Sequence, residues 1–112
     1  MTDQEILQAF RVMWGNFPEA VMITQKSREI IAVNKKGMEL GLQPGIKCSS
    51  IGKPEQHRGC LCNRALETGQ PVFITYQGAF GKAFGYWIPI DERPDWVIHF
   101  GVGSTFNYEG KQ

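Results

Sequence analysis

The sequence predicts an α+β fold: a five-stranded antiparallel sheet, short helices on one face of it, and an amphipathic helix at the N-terminus. Three observations predict it. A helix-spaced apolar set opens the chain at 3–14. Strand-like runs then come first as a pair and later as a trio, joined by short polar links. Between pair and trio lie two short helical signals, each stopped by a glycine, Gly41 and Gly69. Strands linked by short turns pair antiparallel, and the helices between them must cover the sheet's apolar faces.

In residues 3–14, Ile6, Phe10, Met13 and Trp14 recur at helical spacing with Leu7 beside them, while Asp3, Gln4, Gln8 and Arg11 fill the other side. Gly15-Asn16 stops the pattern. So many large apolar side chains on one segment fit two readings equally. The helix packs on its own domain, or Ile6, Phe10, Met13 and Trp14 form the shared surface of a homodimer.

Ala20–Thr24 and Glu29–Val33 are apolar runs joined by Gln25-Lys26-Ser27-Arg28, a hairpin pattern without the Asn-Gly of the tightest turns. Asn34 is placed to cap a short helix over 35–41, because its side chain accepts from N–H groups of the first turn. A second short helix is expected over 60–69, ended by Gly69. Strands follow at 72–76, 83–90 and 96–102, rich in β-branched and aromatic residues and able to pair as a meander. Their links are 77–81 and the polar Asp91-Glu92-Arg93-Pro94-Asp95. Pro89 fits only near a strand end or edge. Residues 104–112 carry little pattern and are expected to trail as a tail.

Composition narrows the function. The chain has 112 residues, enough for one domain with a real core, and a net charge of +1, too small to attract nucleic acid or an anionic membrane. No run approaches the ~18 apolar residues of a membrane span. The start Met-Thr-Asp-Gln-Glu is unlike a secretory signal. Three cysteines cannot all pair within one chain, which favours a cytoplasmic, reducing compartment. Phosphate loops, nucleophile elbows and C-x-x-C pairs are missing from the sequence, and Gly101-Val102-Gly103 lacks the third glycine and the helix of a dinucleotide fingerprint. A binding module is therefore favoured over an enzyme.

The chemistry-bearing stretch is 47–70. It holds Cys48, His57, Cys60 and Cys62, three soft thiolate ligands and one imidazole, a set suited to zinc or an iron–sulfur cluster. Two other readings stand beside that one. Lys47, Lys53, Arg58 and Arg64 outnumber Glu55 and Glu67, which favours a reactive or redox-sensing thiolate. Alternatively, the thiols simply pack, as small apolar side chains do. Cys–His nucleophilic catalysis by His57 and Cys60 lacks an identifiable orienting group.

Several segments resemble the PAS domain family, the small sensory module of bacterial signalling proteins. Phe17-Pro18-Glu19-Ala20-Val21 resembles the start of the family's first strand, and Arg28-Glu29-Ile30-Ile31-Ala32-Val33-Asn34 its second strand and the Asn that opens the next helix. Ala65-Leu66-Glu67-Thr68-Gly69-Gln70-Pro71 resembles the end of its long helix and the entry to the third strand. The resemblance spans 17–103, leaving 1–16 as a helical extension and 104–112 as a tail. The family's Asp-Gly turn between the first two strands is absent here.

The resemblance implies a sensory or regulatory module in signal transduction, including regulation of transcription, with a cup that holds a small ligand. It places Met38, Leu66, Trp87, Trp96, Ile98 and Phe100 in that cup. Trp96, Ile98, Phe100 and Val102 share one strand face, and His99 faces away from them as a structural residue. The signalling effector is expected on another chain or on a missing segment. The competing reading is a small thiol-dependent redox enzyme, or a zinc or iron–sulfur protein with no sensory role.

Overall fold

The computed structural model describes residues 1–48 and 61–110. The elements, in order, are α1 (Asp3–Trp14), β1 (Val21–Gln25), β2 (Ile30–Val33), α2 (Lys35–Glu39), α3 (Cys62–Thr68), β3 (Val72–Gly78), β4 (Gly81–Ile90) and β5 (Arg93–Val102). The strands form one antiparallel sheet in the order β2-β1-β5-β4-β3. The expected α+β fold is the observed one. The N- and C-terminal strands meet in the middle of the sheet, with Val21 opposite Phe100 and Gln25 opposite Trp96.

The two sheet faces carry different partners. Val21 and Ile23 on β1, and Trp96, Ile98 and Phe100 on β5, face α1, which buries Ile6 and Phe10 against them. Each such side chain contributes about 1.5–3 kcal/mol when removed from water. Thr2 and Glu5 close a capping box at the start of α1, with Glu5 N–H donating to Thr2 Oγ1 at 3.1 Å and Thr2 N–H to Glu5 Oε1 at 2.8 Å. Arg93 at the start of β5 donates to Asp3 at 2.9 Å and lies over the Trp96 ring at 4.5 Å, so the helix is fastened at its first turn.

This arrangement corrects the proposed dimer surface. Ile6 and Phe10 are 6 % and 4 % exposed within a single chain and Trp14 is half-buried, so they serve the chain's own core. The exposed apolar side chains of α1 are Val12 and Met13.

Turns account for most boundary differences. Between β3 and β4, Gly78 pairs with Gly81 around a two-residue turn, where a five-residue link was expected. Between β4 and β5 the turn is Asp91-Glu92, with Glu92 at φ 70°, and Arg93–Asp95 already belong to β5. Arg28 at φ 76° does the work of the missing Asn-Gly in the first hairpin. Pro89 lies past the start of β3's pairing and beside the register shift of β4 against β5, the sort of site where a missing N–H is tolerated. Gly69 ends α3 at φ 66°, as the sequence indicated.

Residues 104–110 of the expected tail do not trail. Residues 103–108 wrap around Glu19, which is fully buried just before β1. Its carboxylate accepts from the N–H groups of Gly103 (2.7 Å), Ser104 (2.9 Å) and Thr105 (2.7 Å), and from the hydroxyls of Thr105 (3.1 Å) and Tyr108 (2.8 Å). Burial raises the Glu19 pKa, but these donors outweigh it and hold the group below its ordinary value. Asn34 organises the other side of the junction. Its Oδ1 caps α2 at the Gly37 N–H (3.0 Å) and also accepts from Val21 N–H (2.9 Å), while Nδ2 donates to the Glu19 carbonyl at 2.8 Å.

Candidate functional site: a cavity on the inner sheet face

The face of the sheet turned away from α1 is covered in part by α3. Cys62 and Ala65 of that helix are buried against Trp87 of β4 and Val97 of β5, with Leu61, Leu66, Val72 and Ile74 packed around them. Beside this cluster the described residues border a cavity of about 610 Å³. Its size suits a drug-sized molecule.

Strand register dictates its floor. Met22, His99, Trp87 and Val72 lie in one row across β1, β5, β4 and β3. The next row pairs Gly101 with Gly85 and Gly85 with Ile74. A Cβ on Gly101 would come within 2.2 Å of Ser104 Oγ, so that hydroxyl would have to turn away. Among the described residues, a Cβ on Gly85 would meet nothing closer than 3.5 Å, so their packing does not demand glycine at that position. The walls include Thr24, Leu42, Cys48, Cys62 and Tyr76, and Ser104 and Thr105 of the Glu19 clamp close one side. None of the described lining residues is an Asp, Glu, Lys or Arg.

His99 lies between Met22 and Trp87 in the first of these rows. Its ring stacks on Trp87 with centroids 4.5 Å apart and 14° between planes. Nδ1 lies 2.8 Å from the Tyr86 carbonyl, which can only accept, so Nδ1 carries the proton. Burial pulls the His99 pKa below its usual value, against an opposing push from that hydrogen bond, so the ring is neutral near pH 7. Nε2 is then a lone-pair acceptor on a residue that lines the cavity.

The expected ligand residues are divided by this geometry. Trp87 lines the cavity, and Leu66 packs in the cluster at its edge. Met38 is 50 % exposed on α2 and does not line it. Trp96 and Ile98 are on the opposite face, against α1, which corrects their assignment to the cup. Phe100 borders the cavity, but its ring packs on Trp14, Phe17 and Tyr86 at 5.3, 5.9 and 5.1 Å on the α1 side. His99, set aside as facing away from the cup, faces into it. The alternation along β5 was read correctly and its phase was inverted. β5 is apolar on both faces, and a one-residue shift exchanges them.

Cys48 and Cys62 both line the cavity, half-buried and 1 % exposed respectively. His57 and Cys60 lie outside the described residues. Among the described residues, no group of three or more His, Cys, Asp or Glu side chains is close enough to hold a metal ion.

The fold has close counterparts among solved structures. A domain of an HTR-like protein from Haloarcula marismortui superposes with a TM-score of 0.61 at 20 % identity, over 76 % of this chain and 96 % of that one. A sensory box sensor histidine kinase from Vibrio cholerae superposes with a TM-score of 0.61 at 14 % identity, over 89 % of this chain and 93 % of that one. The fold is therefore PAS-like as well as α+β. No protein-family model and no curated protein matches the sequence. Among the described residues, no helix is long and apolar enough to cross a membrane.

Proposed function

We propose that this chain is a PAS-like sensory or regulatory module that binds a small molecule on the inner face of its sheet and has no catalytic role of its own. One observation carries the reading: a cavity of about 610 Å³ whose polar side chains belong to several separate elements, including Thr24 on β1, Tyr76 on β3, His99 on β5 and Ser104 in the C-terminal segment. Convergent polar groups in an otherwise apolar cavity are the usual form of a small-molecule site. The likeness to a sensory box sensor histidine kinase, whose sequence is only 14 % identical, supports the signalling part of the reading through fold alone. A homodimer and an effector on another chain belong to the same proposal, and a dimer through α1 would use Val12 and Met13.

Native mass spectrometry of the purified protein, together with an NMR-monitored panel of chemically diverse fragments, tests it. Binding that perturbs Met22, Trp87 and His99 is expected. If no compound of any class perturbs them, the reading is wrong.

A metal or redox centre is the second reading, favoured by the presence of Cys48 and Cys62 on one cavity. Metal analysis and an absorption spectrum of protein purified without air decide it. Stoichiometric zinc or iron would establish it, and a metal-free protein with a featureless visible spectrum would remove the metal.

A further inference from the structure

We infer that the cavity selects a largely apolar molecule that donates a hydrogen bond to His99 Nε2 and lies against the backbone at Gly85. The inference rests on the small-molecule reading above and specifies its ligand chemistry.

Three features of the cavity lead to it. First, its described lining includes the apolar side chains of Met22, Leu42, Ile74 and Trp87. An apolar ring laid against them exchanges water for matching apolar surface. Second, His99 presents an acceptor and not a donor. Nδ1–H is committed to the Tyr86 carbonyl at 2.8 Å, and the Trp87 ring, stacked at 4.5 Å, holds the imidazole plane. The depressed His99 pKa supports the same neutral tautomer. A ligand N–H or O–H completes that acceptor, whereas an acceptor-only ligand leaves two lone pairs facing each other.

Third, Gly85 lines the cavity, and the packing of the described residues does not call for glycine there. Its paired neighbour Gly101 is crowded by Ser104, but an added methyl at Gly85 would make only ordinary contacts with the described Ile74 and Trp87, each at 3.5 Å. A glycine in mid-strand lowers strand stability, and one use for it is close approach of a ligand to the backbone. Gly85 lies in the row next to His99, so a ligand resting on it can reach the imidazole edge.

Three probes of one shape separate the terms: 2-naphthol (neutral donor), 2-methoxynaphthalene (neutral, donor blocked) and 2-naphthoate (anion). Affinities are measured by NMR titration of the full chain at pH 7.5. 2-Naphthol is expected to bind about tenfold more tightly than either of the others, the worth of one good hydrogen bond. It should also shift the His99 Nε2 nitrogen resonance in the wild type, a readout that needs no variant. His99→Phe should erase the preference over 2-methoxynaphthalene, and Gly85→Val should abolish binding of all three while Gly85→Ala retains the fold.

Equal or tighter binding of 2-methoxynaphthalene or 2-naphthoate overturns the inference while leaving a small-molecule cavity in place. So does a donor preference that survives in His99→Phe. If the three probes fail to bind, the inference falls, and the fragment panel then decides separately whether the cavity binds any ligand.

Discussion

The Tyr108 hydroxyl donates to Glu19 Oε2 at 2.8 Å, joining residues 89 positions apart in the chain. It is the outermost of five donors on one buried carboxylate, and the pair perturbs both partners. Tyr108 is pushed up to about 12, first by burial and then by its bond to Glu19 and the charge there.

The clamp predicts acid sensitivity. Because the folded Glu19 pKa lies below its ordinary value of 4.5, its contribution to stability is complete above that value and is lost as pH falls through the folded pKa. Glu19→Gln removes the charge and turns one acceptor into a donor facing donors. A loss of about 2–3 kcal/mol is expected, from charged hydrogen bonds replaced by mismatched ones. Denaturant titration of both proteins at pH 7 and pH 3.5 checks it, and the gap between them should narrow at the lower pH.

The N-terminal helix predicts an asymmetric alanine scan. Phe10→Ala should cost about 3–5 kcal/mol because it empties a filled site between α1 and the sheet. Met13→Ala, at a side chain 77 % exposed, should stay within about 0.5 kcal/mol. Equal losses measured in urea would show that α1 does not pack as described.

His99 predicts a second pH effect with its own window. Its folded pKa is lowered, so the folded state resists protonation and the unfolded state does not. Stability is undiminished above the ordinary histidine value of 6.5 and declines as pH falls from there toward the folded pKa. Comparing melting temperatures of wild type and His99→Phe between pH 7.5 and pH 5 isolates the effect. The wild type should lose more than the variant on acidification.

The two described cysteines should react unequally. Cys62 is 1 % exposed within the α3 cluster, and Cys48 is half-buried at the cavity. In variants that keep one or the other, Cys48 should take up a maleimide in the native state and Cys62 only at the rate of local opening. Rapid native labelling of Cys62 would contradict its packing.

Much of the fold was legible because its signals are local. Asn34 announces a helix cap, Gly69 a helix stop, and the runs at 72–76 and 83–90 announce strands, each within a few residues. The site was harder to read because its decisive facts are not local. Period-two alternation along β5 shows that Trp96 and His99 part company, but not which face α1 will cover. The glycines at 85 and 101 became meaningful only once register set them side by side. Glu19 sits beside a proline in an unremarkable loop sequence, and its five donors lie between 84 and 89 positions away. A Thr24 or Tyr76 on a cavity wall carries no local mark at all.

The pairing of β1 with β5 constrains how the chain can acquire its structure during synthesis. Val21 has its central-sheet partner at Phe100, and until that strand leaves the ribosome only the β1–β2 hairpin can pair with β1. Isolated hairpins are marginal in water. The nascent chain must therefore carry Val21, Ile23 and the apolar stripe of α1 without their final cover until β5 has been made. Such a topology delays cooperative folding until β5 is available and slows it, since two distant strands must meet before the sheet gains its middle. A stalled or truncated product ending before residue 96 has no native state to reach, and its exposed strands make it a substrate for chaperones and proteases.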